Sequence, residues 1–285
     1  ISVPLLRAVA RAERDPGLLE IMYWALAAKV VGTLVRYFFI TVVYSDNGDA
    51  GVYHGAAAIL VDLYRQGIFV LHIGQISNRG AETERIAVVL AVVYLFTGVS
   101  RYAGSFVFSW LCFAGQVLMY RAFKAGVPEG DHRRYAYLVL FLPSMLFWPS
   151  SIGKEALMVF SIGIACYGAA QLLGDRIRAS GILTFLVGTS GLFFIRPHMA
   201  VIAVVSLAFA AAVSTIVGFA AEPDKDATKK AFAIRLVALV VLIAAGLVAT
   251  TQLSKVLGGD DPNAKGVDSV LERTKAQASE GGSVF

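Results

Sequence analysis

Residues 86–98 read IAVVLAVVYLFTG. The run is oily enough for a bilayer, yet a spanning helix takes about 20 residues, with roughly 17 to 25 the usual range. Thirteen residues suit an interfacial or re-entrant helix better. The choice matters because a crossing here would reverse the side of every later segment. Lys and Arg in short loops mark the cytoplasmic side and can decide it. If the run does not cross and the N-terminus is inside, the inner segments hold Arg7, Arg11, Arg14, Arg121, Lys124, Arg133, Arg134, Arg176, Arg178, Lys225, Lys229 and Lys230. The short outer loops then hold only Lys154 and Arg196. A crossing would move the basic loops at 121–134, 176–178 and 225–230 outside, against that rule.

Composition agrees with a membrane setting. The chain of 285 residues is 57% hydrophobic and 16% charged, with a mean hydropathy of +0.69, well outside the soluble balance. Apolar runs at 22–43, 103–120, 133–149, 154–173, 181–195, 198–220 and 231–252 predict about seven transmembrane helices in an all-α polytopic bundle. Residues 1–252 form one transmembrane domain in this reading, and 253–285 an extracytoplasmic tail carrying turn chemistry and a short polar helix. The segment 44–102 becomes a long outer loop. Within it GAAAILVDLYRQGIF (55–69) has the pattern of an interfacial helix, SNRGAETER (77–85) that of a polar turn, and 86–98 dips back toward lipid.

The net charge of +5 falls on loops between apolar segments, which points to anionic lipid as the partner and not to nucleic acid. Cys112 and Cys166 lie inside apolar runs, where cysteine behaves as a small hydrophobe. The chain begins with Ile1, so a segment preceding it is expected. Lys29 and Arg36, seven apart on one face of the first long helix, either face a partner or wet cavity or snorkel to opposite interfaces.

On the outer face this topology gathers Asp46, Asp49, Tyr53 and His54 from SDNGDAGVYHGAA (45–57), Lys154 and Glu155 from FWPSSIGKEAL, and Arg196 and His198 from FFIRPHMAV. A carboxylate can deprotonate an acceptor hydroxyl, while Lys and Arg can hold a departing phosphate. Each residue also has a structural reading. Asp46 and Asp49 sit in turn chemistry, His54 begins an interfacial helix, and Glu155 suits a helix start. Arg196 and His198 flank the break at Pro197. Lys154 is the more informative of its pair, because a lysine in the first turn has no macrodipole explanation.

The stretch DAGVYHGAA resembles the first loop of the GT-C glycosyltransferases that use a polyprenyl-phosphate sugar donor. Their DExxYxxxA spacing is matched at Asp49, Tyr53 and Ala57, with Ala50 in place of the glutamate. VVLAVVYLFTGVSRYAGSF is similar to that family's membrane-dipping segment, and FLPSMLFWPSSIGKEAL to its third-to-fourth helix connection. The resemblance spans about residues 40–200 and implies a GT-C-like helical bundle in a bacterial cytoplasmic membrane. It implies Asp49 as the catalytic base, a lipid-phosphate sugar as donor, and a lipid or glycan as acceptor. The substitution at Ala50 leaves Asp49 as the only catalytic residue carried over, with Asp46 a substitute for the lost charge. A divalent metal stays open as a cofactor, and no metal ligands are assigned. Two other functions fit the same residues: a polymerase or ligase of lipid-linked glycan, and a non-catalytic membrane subunit that binds a partner protein.

Overall fold

The computed structural model describes residues 2–44, 48–70, 81–174 and 179–221. Helix α1 (Ser2–Glu13) buries Leu6 and Ala10 on one stripe and leaves Arg7 and Arg11 exposed. Arg14 adopts a left-handed conformation (φ 53°) that stops it. Asp15 then accepts the Leu18 N–H at 3.2 Å, and Pro16, whose missing donor costs nothing in a first turn, opens α2 (Pro16–Phe38). A π-helical turn, Phe39–Val43, extends α2 into one apolar rod of 28 residues. At 1.5 Å per residue this is about 42 Å, enough to cross a hydrocarbon core of about 30 Å.

Two helices of 17 residues follow, α3 (Asp49–Arg65) and α4 (Ala81–Thr97), and pack on one another. Next comes α5 (Arg101–Gly126), antiparallel to α2. Thr33 Oγ1 donates to Ser109 Oγ at 2.8 Å and Lys29 Nζ to Cys112 Sγ at 3.2 Å. At the far end Arg121 and Lys124 meet the Glu13 carboxylate at 2.6 and 3.5 Å. The chain between α2 and α5 therefore returns to the end it left. The oily run at 86–98 belongs to α4, one arm of that excursion. Part of the expected polar turn at 77–85 is instead the start of α4, where Thr83 and Glu84 are buried.

The run at 133–149 is not one continuous helix. It divides into α6 (His132–Phe141) and α7 (Pro143–Phe147). Pro143 has no N–H, so the Val139 carbonyl four residues earlier loses its helical donor. Gln116 Nε2 of α5 supplies one at 2.5 Å. Pro149 stands in the same relation to Met145, whose carbonyl accepts from Lys29 Nζ. Lys29 is 2% exposed and does not snorkel. It satisfies a carbonyl that the sequence leaves without a backbone partner.

The remaining described helices are α8 (Lys154–Leu173), α9 (Ala179–Ile195) and α10 (Pro197–Ala221). Glycines bring α5, α8 and α9 together, as small residues do where backbones must approach inside a membrane. A Cβ on Gly163 would fall 2.7 Å from Gly115 Cα and still closer to its carbonyl oxygen, and Cβ atoms on Gly168 and Gly188 would fall 2.7 Å from the Cα atoms of Phe185 and Ala165. A Cβ on Gly104, early in α5, would likewise meet Ile152 just before α8, so α8 runs parallel to α5; the 168/185 and 165/188 pairings make α9 antiparallel to α8.

Two cores lie along α5. One gathers Leu6, Leu18, Met22, Phe113, Tyr120 and Leu140 around its second half. The other gathers α3, α4, Phe108, Cys112, the start of α8 and the end of α9 around its first half. Among the described residues three helices are long and apolar enough to cross a membrane: Pro16–Val43, Arg101–Gly126 and Lys154–Leu173. Ala179–Ile195 and the stretch Pro197–Val213 of α10 are apolar but shorter. No strand occurs among the described residues. The expected span at 231–252 and the tail at 253–285 lie outside them. Residues 1–203 make one compact unit; a second begins at Val204, and its described part is the rest of α10.

Candidate functional site at one end of the bundle

Helix α3 begins after Gly48, whose extended backbone (φ −100°, ψ 164°) breaks the chain direction without a side-chain cap. Asp49 occupies the first turn and is exposed. A carboxylate there is favoured by the helix dipole whatever else it does. One turn on, Tyr53 is 2% exposed and packed in the core with Ala50, Ala57 and Leu60, so its ring is part of the wall behind Asp49.

His54 is half-buried and tied to α4. Its Nδ1 lies 2.7 Å from the Tyr94 hydroxyl, and the two rings meet edge to face at 5.7 Å. Tyr94 is fully buried. Burial pushes its phenol up to about 12, against a smaller pull downward from the Arg101 charge. The phenol therefore keeps its proton at neutral pH, and its contact with Nδ1 holds the imidazole ring against α4. Tyr94 was visible in the sequence only as the one residue with a hydroxyl before Thr97 in the oily run.

The start of α8 is built from a buried connection. Ser150, Ser151 and Ile152 are all enclosed, and Ser150 Oγ donates to the Leu146 carbonyl at 2.6 Å. Gly153 follows in extended conformation, and a Cβ on it would come 2.8 Å from Glu155 Oε2. Glu155 is exposed and folds back over this first turn, while Lys154 is half-buried beside it. At the end of α9, Ile195 is buried and Arg196 half-buried, its N–H closing the last turn onto the Leu192 carbonyl at 2.7 Å. Pro197 then opens α10, and His198 is exposed. Arg85 of α4, which the sequence reading treated as turn chemistry, donates to the Phe194 carbonyl at 2.8 Å and lies over the Phe194 ring. It caps the α9 terminus that carries Arg196.

Side chains adjoining three of the candidates share one buried cluster: Ala50 and Tyr53 beside Asp49, Ile152 and Ala156 beside Lys154, and Ile195 beside Arg196. Ile86 and Leu90 of α4 complete it. The segments bearing Asp49, His54, Lys154, Glu155 and Arg196 are thus rooted together. Asp46 lies outside the described residues. Among the described residues no three His, Cys, Asp or Glu side chains are placed to hold a metal ion. No protein-family model, curated protein or solved structure matches the chain.

Proposed function

We propose that the chain is a membrane glycosyltransferase of the GT-C type, moving a sugar from a polyprenyl-phosphate donor to a lipid or glycan acceptor on the outer face of a bacterial cytoplasmic membrane. The observation that carries this is the shared root of the segments bearing Asp49, Lys154 and Arg196, at the end of the bundle where α2 finishes and α5 begins. In this reaction Asp49 takes the acceptor hydroxyl proton and the freed oxygen attacks the anomeric carbon. The bond from that carbon to the lipid phosphate breaks, and the phosphate leaves with its electron pair. Lys154 and Arg196 offset the charge that develops on it, the kind of electrostatic help that matters most where water is scarce. Asp46, His54, Glu155 and His198 orient sugar or acceptor, with Tyr53 behind them.

The test is transfer by the purified full chain from a panel of polyprenyl-phosphate sugars. Asp49→Asn is expected to lower the rate by about 10²- to 10⁴-fold, the usual worth of a general base, with elution and melting unchanged. Undiminished transfer by that variant would remove Asp49 from the chemistry and the assignment with it.

A further inference from the structure

Helices α2 and α6 run in the same direction. The chain enters α6 by a short turn from the end of α5, where Lys124 meets Glu13, and α7, which continues it, reaches α2 farther along, where Lys29 donates to the Met145 carbonyl. A groove of about 570 Å³ lies between α2 and α6. From α2 it takes Gly17, Glu20, Trp24, Ala28 and Val31, which recur every three or four residues and so share one face. From α6 it takes Arg133, Tyr137 and Phe141, every fourth residue. The groove is open to the outside: Trp24 is 66%, Val31 58% and Tyr137 46% exposed, and Glu20 and Arg133 are exposed too. Its face of α2 is not the one that carries Lys29 and Thr33 into the bundle.

The groove has the length and the polarity of one bilayer leaflet. Gly17 to Val31 spans about 21 Å at 1.5 Å per residue, and half of a bilayer about 40–45 Å thick is about 20–22 Å. Its charges, Glu20 and Arg133, lie toward the end of α2 that projects from the hydrocarbon core into the headgroups. Trp24 and Tyr137 follow, rings suited to the boundary between head and chain. Deeper in, the lining is Ala27, Ala28, Val31 and Phe141. It ends there because α7 comes so near α2 that a Cβ on Gly32 would strike the Leu146 carbonyl. A second helix laid in the groove would be stopped halfway through the membrane, whereas a lipid of one leaflet ends at that depth.

Glu20 and Arg133 face the same space without pairing: the ion pairs found among the described residues join Glu13 to Arg121 and Lys124. A purely anionic head would be attracted by Arg133 and repelled by Glu20. A head with both a phosphate and an ammonium group answers both charges. We propose that the groove binds one zwitterionic phospholipid, with its phosphodiester on Arg133, its ammonium on Glu20 and an acyl chain between Trp24 and Tyr137 as far as Val31. The planar guanidinium fork matches the two non-bridging oxygens of a phosphodiester. The site lies toward the opposite end of α2 from Asp49, and it stands or falls separately from the glycosyl-transfer reading because its test measures binding.

The delipidated full chain in detergent is titrated with phosphatidylethanolamine, phosphatidylglycerol and diacylglycerol of the same acyl chains, and native mass spectrometry counts bound lipids and copies of the chain. One phosphatidylethanolamine is expected, held at least tenfold tighter than diacylglycerol and at least threefold tighter than phosphatidylglycerol. Arg133→Gln should weaken it tenfold or more, and Glu20→Gln should leave the two phospholipids equal. Both side chains are exposed, so melting should not change. Arg134→Gln, exposed on the same helix but outside the groove, is the control and should leave retention as it is. Phosphatidylethanolamine held no tighter than diacylglycerol, or equally well by Arg133→Gln, overturns the proposal. So does tighter retention of phosphatidylglycerol, or a preference that survives Glu20→Gln. An equal loss in Arg134→Gln would overturn the site by making the effect one of net charge. A lipid-free dimer that Trp24→Ala dissociates would overturn it too, by giving the face to a second copy.

Discussion

Gln116 and Lys29 show how single buried polar residues keep an interrupted helix inside a membrane. Each proline at 143 and 149 strips a donor from the carbonyl four residues before it, and a side chain on a neighbouring helix restores one. Lipid offers no water to do this, so an orphaned carbonyl there is costly. Gln116→Leu should therefore lower stability by about 1–3 kcal/mol, the penalty of an unmade buried hydrogen bond, read as a drop in melting temperature in detergent. The drop should shrink in a Pro143→Ala background, where residue 143 regains its own N–H. Equal losses in both backgrounds would mean that the Gln116 contact to Val139 is incidental. The charges of Lys29 and Arg36 were conspicuous in the sequence, but their roles were not. One is a buried carbonyl donor, the other a guanidinium in an aromatic notch. The difference lies in residues more than a hundred positions away.

At the scale of elements, the glycines of α8 and α9 decide the packing. A Cβ at Gly163 would overlap the Gly115 backbone, which cannot move aside as a side-chain tip can. Gly163→Ala is therefore expected to destabilise by about 1–3 kcal/mol, as overpacking does. Gly55 in α3 is the control, since a Cβ there meets nothing within 4 Å. Gly55→Ala should stabilise by about 0.5–1 kcal/mol through helix propensity alone. Thermal melts of the two variants side by side check both signs. Hydropathy alone marked where α2, α5 and α8 run, because their apolar stretches are long enough for the pattern to be unambiguous. The division of 133–149 at Pro143 was missed because hydropathy averages over the prolines.

For the whole molecule, the antiparallel pairing of α2 and α5 means that residues 44–100 leave and rejoin the bundle at one end. Charge counting puts that end outside. In a Cys166→Ala background, Val99→Cys should react with a membrane-impermeant maleimide in intact cells, and Glu129→Cys, at the other end of α5, only after lysis. The reverse pattern would invert the orientation and place the candidate site on the cytoplasmic face. The α-helical membrane class was determined by the sequence itself, since apolar runs of spanning length can satisfy their backbone in lipid only as helices or closed barrels. So was the distribution of basic loops from which sides were argued. Tertiary structure alone decided that Ala50, Ile152 and Ile195 share a core, that Tyr94 holds His54, and that Arg85 caps the helix bearing Arg196. Those are contacts between helices, set by which faces and glycines fit together. Local hydropathy carries no record of them.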